Sequence, residues 1–421
     1  MSKFSEVLKT RNFFFLWIGQ IISQIGDRLD QMALIAFVYS RSPGSALEIA
    51  KILSFTIIPV FLIGPIAGVY VDRWDRRRTM YACDFLRSAL VLTIPLFLFY
   101  TKHLSFVYAI IFLIFCIGRF FVPAKLAIIP DLVEKKDLLI ANSLVNTTGM
   151  IASVLGFGIS GCIIEWVGAK SGFYLDSLSF LISGACIFLI AKKNVRMKMS
   201  VVSKEIVEVF KQSVQQKAVI QEIREGMVYF IKNREIRFVA SIMFILWSAL
   251  GAVYTVIIAF VQKTLHSATK DLGLLAMFVG IGLFVGSILY GKFGNRLSQY
   301  KTIFSSLIMS GIMLVIFSLG LQYYPRLLAA EVLALALGMV IAPIMIASNT
   351  VVHNASKVDM MGKVFSSLEI VMHLAFLVFM FASSMIAERL SCGIILISVG
   401  IIFSIVGAVN LVCNRKIPWF S

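Results

Sequence analysis

Apolar positions along this chain come in long unbroken runs, with neither the period-two alternation of a half-buried strand nor the narrow stripe of a soluble helix. The runs fall at about 12 to 40, 47 to 71, 79 to 100, 104 to 129, 142 to 166, 173 to 191, 238 to 261, 272 to 293, 302 to 321, 326 to 349, 362 to 387 and 393 to 412, with charged or Pro/Gly-bearing breaks between them. A hydrocarbon core about 30 Å thick takes roughly 20 helical residues to cross, and inside it only a helix or a closed barrel satisfies its own backbone. The pattern therefore predicts an all-α membrane protein with twelve transmembrane helices. Composition agrees. Of 421 residues, 59% are hydrophobic and 14% charged, and the mean hydropathy is +0.91; a water-soluble fold is excluded. The stretch before the first run carries only Lys3, Glu6, Lys9 and Arg11, and the run is too long for a signal-peptide core, so it is expected to stay in the membrane.

Charge adds the orientation. Lys plus Arg number 39 against 22 Asp plus Glu, a net +17. In a soluble chain that balance suggests nucleic acid as a partner; here the basic residues gather at one end of the predicted spans, as on the cytoplasmic loops of membrane proteins. With both termini placed in the cytoplasm, 27 basic residues lie inside, 8 outside and 4 within spans (Arg28, Arg87, Arg119, Lys125). No nucleic-acid partner is expected. The six cysteines form no CxxC pair and sit in or beside apolar runs, which predicts packing residues and no metal site or disulfide framework.

The polar stretch 192 to 237 divides the spans six and six. Within it Ile220, Ile223, Met227 and Phe230 have helical spacing with charges between them, predicting a linker helix on the inner membrane surface. The expected organisation is a six-helix half over 1–191, the linker over 192–237 and a second half over 238–421. An internal repeat supports the division. Gly68 and Arg73 recur as Gly291 and Arg296, Pro123 and Ala127 as Pro343 and Ala347, and Asp137 as Asp359, in one order and at nearly one offset. Two related halves are the signature of many transporters.

Polar groups inside a span cost about 2.5 to 3.5 kcal/mol each on insertion scales, so their placement points to function. On the first span Gln20, Ser23, Gln24, Asp27, Arg28, Asp30 and Gln31 share an arc of about 160° at 100° per residue. Such a face turns to a wet cavity or to a polar partner. Two readings fit: a static hydrogen-bonded network, or a cavity stripe whose acids take up ions. The second makes Asp27 and Asp30 proton-coupling candidates and Gln20, Gln24 and Gln31 cavity-lining ones. Arg119, midway along span four, requires a carboxylate, and span one offers Asp27. Glu369 and His373, at i,i+4 on span eleven, form either a proton relay or a satisfied hydrogen bond. Glu165, Asp176 and Glu331 lie nearer the outer ends and are weaker, gate-type candidates.

Between spans two and three runs Gly68-Val69-Tyr70-Val71-Asp72-Arg73-Trp74-Asp75-Arg76-Arg77-Arg78. It resembles the signature loop of the major facilitator superfamily and sits where that family has it, with Asp75 at the usual mid-motif glycine. The resemblance implies that Gly68 lets helices approach closely and that Asp72 braces the start of span eleven near Met361 and Gly362. It further implies that Arg73 and Arg77 tie the loop to neighbouring helices and lipid headgroups. Asp84 and Arg87, in Asp84-Phe85-Leu86-Arg87-Ser88, are counted with this conformational gate. The C-terminal copy, Gly291 to Arg296, has lost its acid.

Asn12 to Asp27, Gly64-Pro65, Val122 to Leu132, Leu139 to Leu144, Gln221 to Phe230 and Gly362 to Ser366 resemble the drug- and siderophore-exporting branch that includes macrolide efflux proteins and the enterobactin exporter. The antiporter motif of span five departs from that branch. It reads Gly156-Phe157-Gly158-Ile159-Ser160-Gly161, with Phe157 where the proline belongs; Ala152, Gly156 and Ser160 still permit close packing, but the kink signal is gone. Walker-type loops, metal clusters and nucleophile–base pairs are missing from the sequence, so neither an enzyme nor an ATP-driven pump is expected. The implied function is a proton-coupled exporter of small amphipathic molecules such as a macrolide or a siderophore, a monomer of the bacterial cytoplasmic membrane with lipid around it, powered by the proton gradient without a cofactor. The alternatives are a translocator of lysolipid-like amphiphiles and a non-transporting sensor or assembly protein of the same fold.

Overall fold

The computed structural model describes residues 4–71, 73–100, 105–191, 228, 234–294, 298–355 and 361–413. Among these residues the chain is helical: α1 (Phe4–Lys9), α2 (Arg11–Arg41), α3 (Ala46–Leu62), α4 (Gly64–Val71), α5 (Arg76–Tyr100), α6 (Ser105–Leu132), α7 (Leu138–Phe188), α8 (Arg234–Leu265), α9 (Lys270–Phe293), α10 (Gln299–Tyr323), α11 (Leu327–Ala355), α12 (Met361–Ala387) and α13 (Cys392–Cys413).

Among the described residues, nine helices are long and apolar enough to cross a membrane. Three local features reconcile nine with the twelve expected. α2 is the span that carries the polar stripe. α3 and α4 are one span interrupted at Ile63, past Pro59, with Pro65 in the first turn of α4 where its missing N–H costs nothing. α7 is a hairpin. Its arms meet at Gly168, whose φ of 80° and ψ of 163° lie outside the helical region and in territory that glycine tolerates. The first arm runs parallel to α2, with Gly149 against Gln24 and Gly156 against Arg28. The second runs back, with Gly172 against Ala33, Gly26 against Ser179 and Gly19 against Cys186. α8 begins at Arg234, a turn before the expected span, and the anticipated linker helix of 220–230 lies almost wholly outside the described residues.

Pairing repeats in the two halves. α3 packs on α6, α5 on α6 and α5 on the α7 hairpin; in the second half α9 packs on α11, α10 on α11 and α10 on α13. Pro123 of α6 and Pro343 of α11, the residues matched by the repeat, both lie inside their helices. Exposed Leu113, Leu155, Ile159, Ile288, Leu289, Ile402 and Ile405 form the lipid-facing surface, where an apolar side chain is already in its preferred solvent.

The cores show how the halves meet. At the distal end, opposite the starts of α2 and α8, one buried cluster mixes Leu29, Phe37, Ile49, Ile164 and Phe173 of the first half with Val256, Phe260, Leu272, Leu321 and Leu396 of the second. At the other end, where α2 begins and α13 finishes, there are two separate clusters. Phe13, Leu16, Met80, Phe121 and Ile187 belong to the first half alone; Ala240, Leu246, Phe304, Ala347 and Leu368 belong to the second alone. The halves are welded at the distal end and parted at the terminal end, which leaves a cleft open towards the chain termini.

Candidate functional site

The polar stripe of α2 does not line one cavity; it splits three ways. Gln20 and Ser23 are buried, with Ser23 Oγ donating to Gln20 O at 3.2 Å. A Cβ on Gly149 of α7 would lie 3.3 Å from Gln20 Nε2 and 3.0 Å from Gln24 Nε2. These glutamines fill the α2–α7 contact, so Gln20 and Gln24 serve packing more than the cleft. Further along, Arg28 stacks 4.6 Å over the Phe157 ring and donates to Gln31 Oε1 at 3.0 Å. Gln31 Nε2 in turn donates to Tyr254 Oη on α8, in the other half, at 2.7 Å. Phe157, the departure from the antiporter motif, is thus the face on which Arg28 rests; no kink forms there, Gly168 being the one non-helical residue of α7.

Asp27 and Asp30 make the third destination. Asp27 is 43% exposed and lies 3.6 Å from Arg87 Nη1. Arg87 of α5 also donates from Nη2 to Asp84 Oδ1 at 3.0 Å, and Asp84 Oδ2 accepts from Ser183 of α7 at 2.6 Å. The Arg87 guanidinium stacks 3.9 Å over Phe180. Beside it Ser88 Oγ donates to Ser177 O at 2.8 Å, and Asp176, fully buried, accepts at Oδ1 from Ser179 at 3.2 Å. One guanidinium therefore faces four carboxylates on α2, α5 and α7, and a single one of them, Asp27, reaches the cleft.

This arrangement changes several expectations. The partner of Asp27 is Arg87 of α5, a helix that packs with α2 on the α7 hairpin, and not Arg119; Arg119 stands midway along α6 with its buried Nε unpaired. Asp84 and Arg87 belong to the buried network, roughly two and three turns along α5 from Arg76, and not to the loop gate. Asp176 is interior, not a gate at the outer end. His373 Nδ1 meets the backbone oxygen of Glu369 at 2.8 Å and its ring packs 5.2 Å from Trp247, so the carboxylate–imidazole relay is not formed in this conformation. The sequence did carry a signal for the network: Asp84 and Arg87 at i,i+3, and Asp176, Ser179 and Ser183 at i,i+3,i+7.

In the signature loop Asp72 lies outside the described residues. Asp75 caps α5, its Oδ1 accepting from Arg78 N at 2.9 Å, a role glycine could not fill. Arg76 donates to Ala127 O and pairs with Asp131, both at 2.9 Å. Arg77 donates to the Ile187 and Phe188 carbonyls at the end of α7, while Arg73 is exposed. Gly68 shows no close approach: a Cβ there would meet nothing within 4 Å, and the same holds for its repeat partner Gly291. Two glycines of the distal seam between the halves do show one. A Cβ on Gly161 of α7 would lie 2.6 Å from Thr269 O and 2.9 Å from Gly273 Cα of α9, and one on Gly158 2.7 Å from Met277 Sδ.

Beside that seam Glu165 Oε2 accepts from Thr269 N at 2.8 Å, Thr269 Oγ1 at 3.1 Å and Lys270 N at 3.2 Å, capping α9 from the opposite half. Ser45 Oγ, which caps α3, donates to Glu388 Oε1 at 2.8 Å. These contacts close the distal end.

Comparison with known proteins agrees with this architecture. The family model described as Major Facilitator Superfamily matches residues 16–374. The chain is 28% identical to the MFS-type transporter YkuC of Bacillus subtilis over 81% of its own length and 77% of that protein. It is 23% identical to macrolide efflux protein A of Streptococcus pyogenes over 90% of each. A solved structure of a mutant of the peptide transporter POT in complex with alafosfalin superposes with a TM-score of 0.70 at 14% identity, over 99% of each chain, a likeness of fold.

Proposed function

Because this chain belongs to the Major Facilitator Superfamily and is a multi-pass membrane transporter, we propose that it is a proton-coupled exporter of small amphipathic molecules, a macrolide or a siderophore, working by alternating access. The observation that carries the reading is Asp27: a carboxylate within a span, 43% exposed on the cleft and 3.6 Å from the buried Arg87. When it is ionised, Asp27 and Arg87 neutralise each other. A proton on Asp27 releases the guanidinium to Asp84 alone and changes the charge of the cleft wall by one. That coupling of charge to conformation is what an antiporter requires. Arg119, midway along α6, and the rings of Trp247, Phe376 and Tyr254 on the second half, set edge-on or tilted with centroids 5.4 to 6.2 Å apart, are the polar and aromatic groups this reading assigns to an amphipathic guest. The likeness to macrolide efflux protein A supports the direction and substrate class. With the terminal end cytoplasmic, as the distribution of basic residues favours, the conformation is inward-facing and awaits cargo from the cytoplasm of a bacterial cell.

Purified protein in proteoliposomes tests the proposal. An imposed pH gradient is expected to drive radiolabelled macrolide uphill, and Asp27→Asn to abolish uphill transport while sparing exchange of macrolide across the membrane at equilibrium. Uphill transport by Asp27→Asn with unchanged pH dependence would remove Asp27 from coupling. Macrolide susceptibility and siderophore release of overexpressing cells distinguish the two cargo classes.

A further inference from the structure

Behind Asp27 lies a second group of acids, buried away from the cleft. Asp30 of α2 is 4% exposed and Asp176 of α7 is 0% exposed. Asp30 Oδ1 and Asp176 Oδ2 are buried and accept no hydrogen bond. The neighbouring Arg87 spends Nη1 on Asp27 and Nη2 on Asp84, and its own buried Nε has no acceptor. The backbone makes room for the pair. Gly26, one turn before Asp30, carries no Cβ; one built there would lie 2.6 Å from Asp176 Oδ1 and overlap Ser179 Oγ. Any other residue at 26 would expel the Asp176 carboxyl from its place against α2.

The charged groups facing this pair are Asp27 on α2 and Arg87 on α5, which also holds Asp84; more remotely, Arg119 and Lys125 on α6 face Asp27. With every acid ionised, four negative charges would gather round Arg87, whose guanidinium touches Asp27 and Asp84 and neither of the other two, and two carboxylate oxygens would stand in the dry interior without a donor. Buried charges of that kind are not sustained without compensation. Among the described residues no three acid, His or Cys side chains are gathered as a metal site would need, and the cation small enough to sit on such a pair is a proton.

We propose that Asp30 and Asp176 form a second proton-binding site, walled off from water, which fills through Asp27. A proton from water in the cleft forms an O–H bond on Asp27; it then passes to the Asp30–Asp176 pair, whose charge goes from −2 to −1, while the Asp27 carboxylate re-forms and pairs with Arg87. Nothing is oxidised and the net gain is one proton. The use of this site in transport rests on the proton-coupled reading above; its existence does not.

Infrared difference spectroscopy on purified protein in lipid nanodiscs tests it without any substrate. Near neutral pH the wild type is expected to show the C=O stretch of a protonated carboxylic acid, lost in one of Asp30→Asn and Asp176→Asn and displaced in the other, while Asp27→Asn is expected to reach the same band at equilibrium but more slowly after a pH jump. Ser179→Ala, which removes the donor to Asp176 Oδ1 and leaves both acids in place, should shift that band without abolishing it. Spectra of both Asn variants identical to wild type, or a band lost only in Asp27→Asn, would overturn the site. So would loss of the band on adding sodium at constant pH, which would assign the pair to a metal cation. A band that behaves as expected in a protein whose macrolide transport ignores the pH gradient would retain the site and reject the coupling reading.

Discussion

Glu165 gives the sharpest handle on the conformational equilibrium. Its carboxylate reaches across from the first half to the N-terminus of α9, where Thr269 N–H and Lys270 N–H would otherwise lack acceptors. Glu165→Gln keeps a carbonyl oxygen for those donors and removes only the charge. The loss is then the interaction of one negative charge with a helix N-terminus, about 0.5 to 2 kcal/mol in general. Glu165 is exposed at the rim, so solvent screening places it in the lower part, about 0.5 to 1 kcal/mol. The contact exists only while the distal end is closed, so the whole loss falls on the terminal-open state, and the ratio of distal-open to distal-closed molecules should rise about two- to fivefold. Pulsed electron spin resonance distances read this directly in a cysteine-free background. A label pair at Ser42 and Arg389 spans the distal end, and a pair at Lys135 and His353 spans the terminal end. The variant should gain the long distal distance and the short terminal distance together, and added salt should shrink the difference between variant and wild type. Unchanged distributions at both ends would mean that the apolar weld alone sets the equilibrium and that the cap is incidental.

Two further outcomes follow from the same geometry. Arg87→Ala strips the countercharge from Asp84, which is fully buried; a loss of about 3 to 5 kcal/mol should show as poor recovery of monodisperse protein on size-exclusion chromatography, and Arg87→Ala with Asp84→Asn should recover better than Arg87→Ala alone. Gly273→Val places side-chain atoms where Gly161 Cα and the Phe157 carbonyl now sit, so the distal seam should no longer close and the same distal spin-label pair should report mainly the open form; a wild-type distance would show that the α7–α9 crossing gives way elsewhere.

Residue pattern alone decided the architecture. Twelve spans, the two halves and the repeat are written in runs of apolar residues, because in hydrocarbon a backbone that is not helical or closed into a barrel leaves its polar groups unpaired. The one-faced polarity of α2 was equally plain, since the helical period projects Asp27, Arg28, Asp30 and Gln31 onto one arc whatever surrounds them. What surrounds them was not plain. Whether Asp27 meets Arg87 or Arg119 depends on which of α5 and α6 brings its arginine to the depth of Asp27, and both arginines stand at mid-span in the sequence. Asp176 reads as peripheral by position, yet the α7 hairpin at Gly168 brings it back against Gly26, a glycine whose meaning is visible only once its neighbour is. Gly68 and Gly161 look alike in the sequence as helix-approach residues; the first faces open space and the second a backbone at 2.6 Å. That difference is made by the packing around each glycine, which composition does not carry. Periodicity fixes which face of each helix is polar, and tertiary packing assigns each polar face its partner, because a charge in the membrane is stable only beside the particular group that neutralises it.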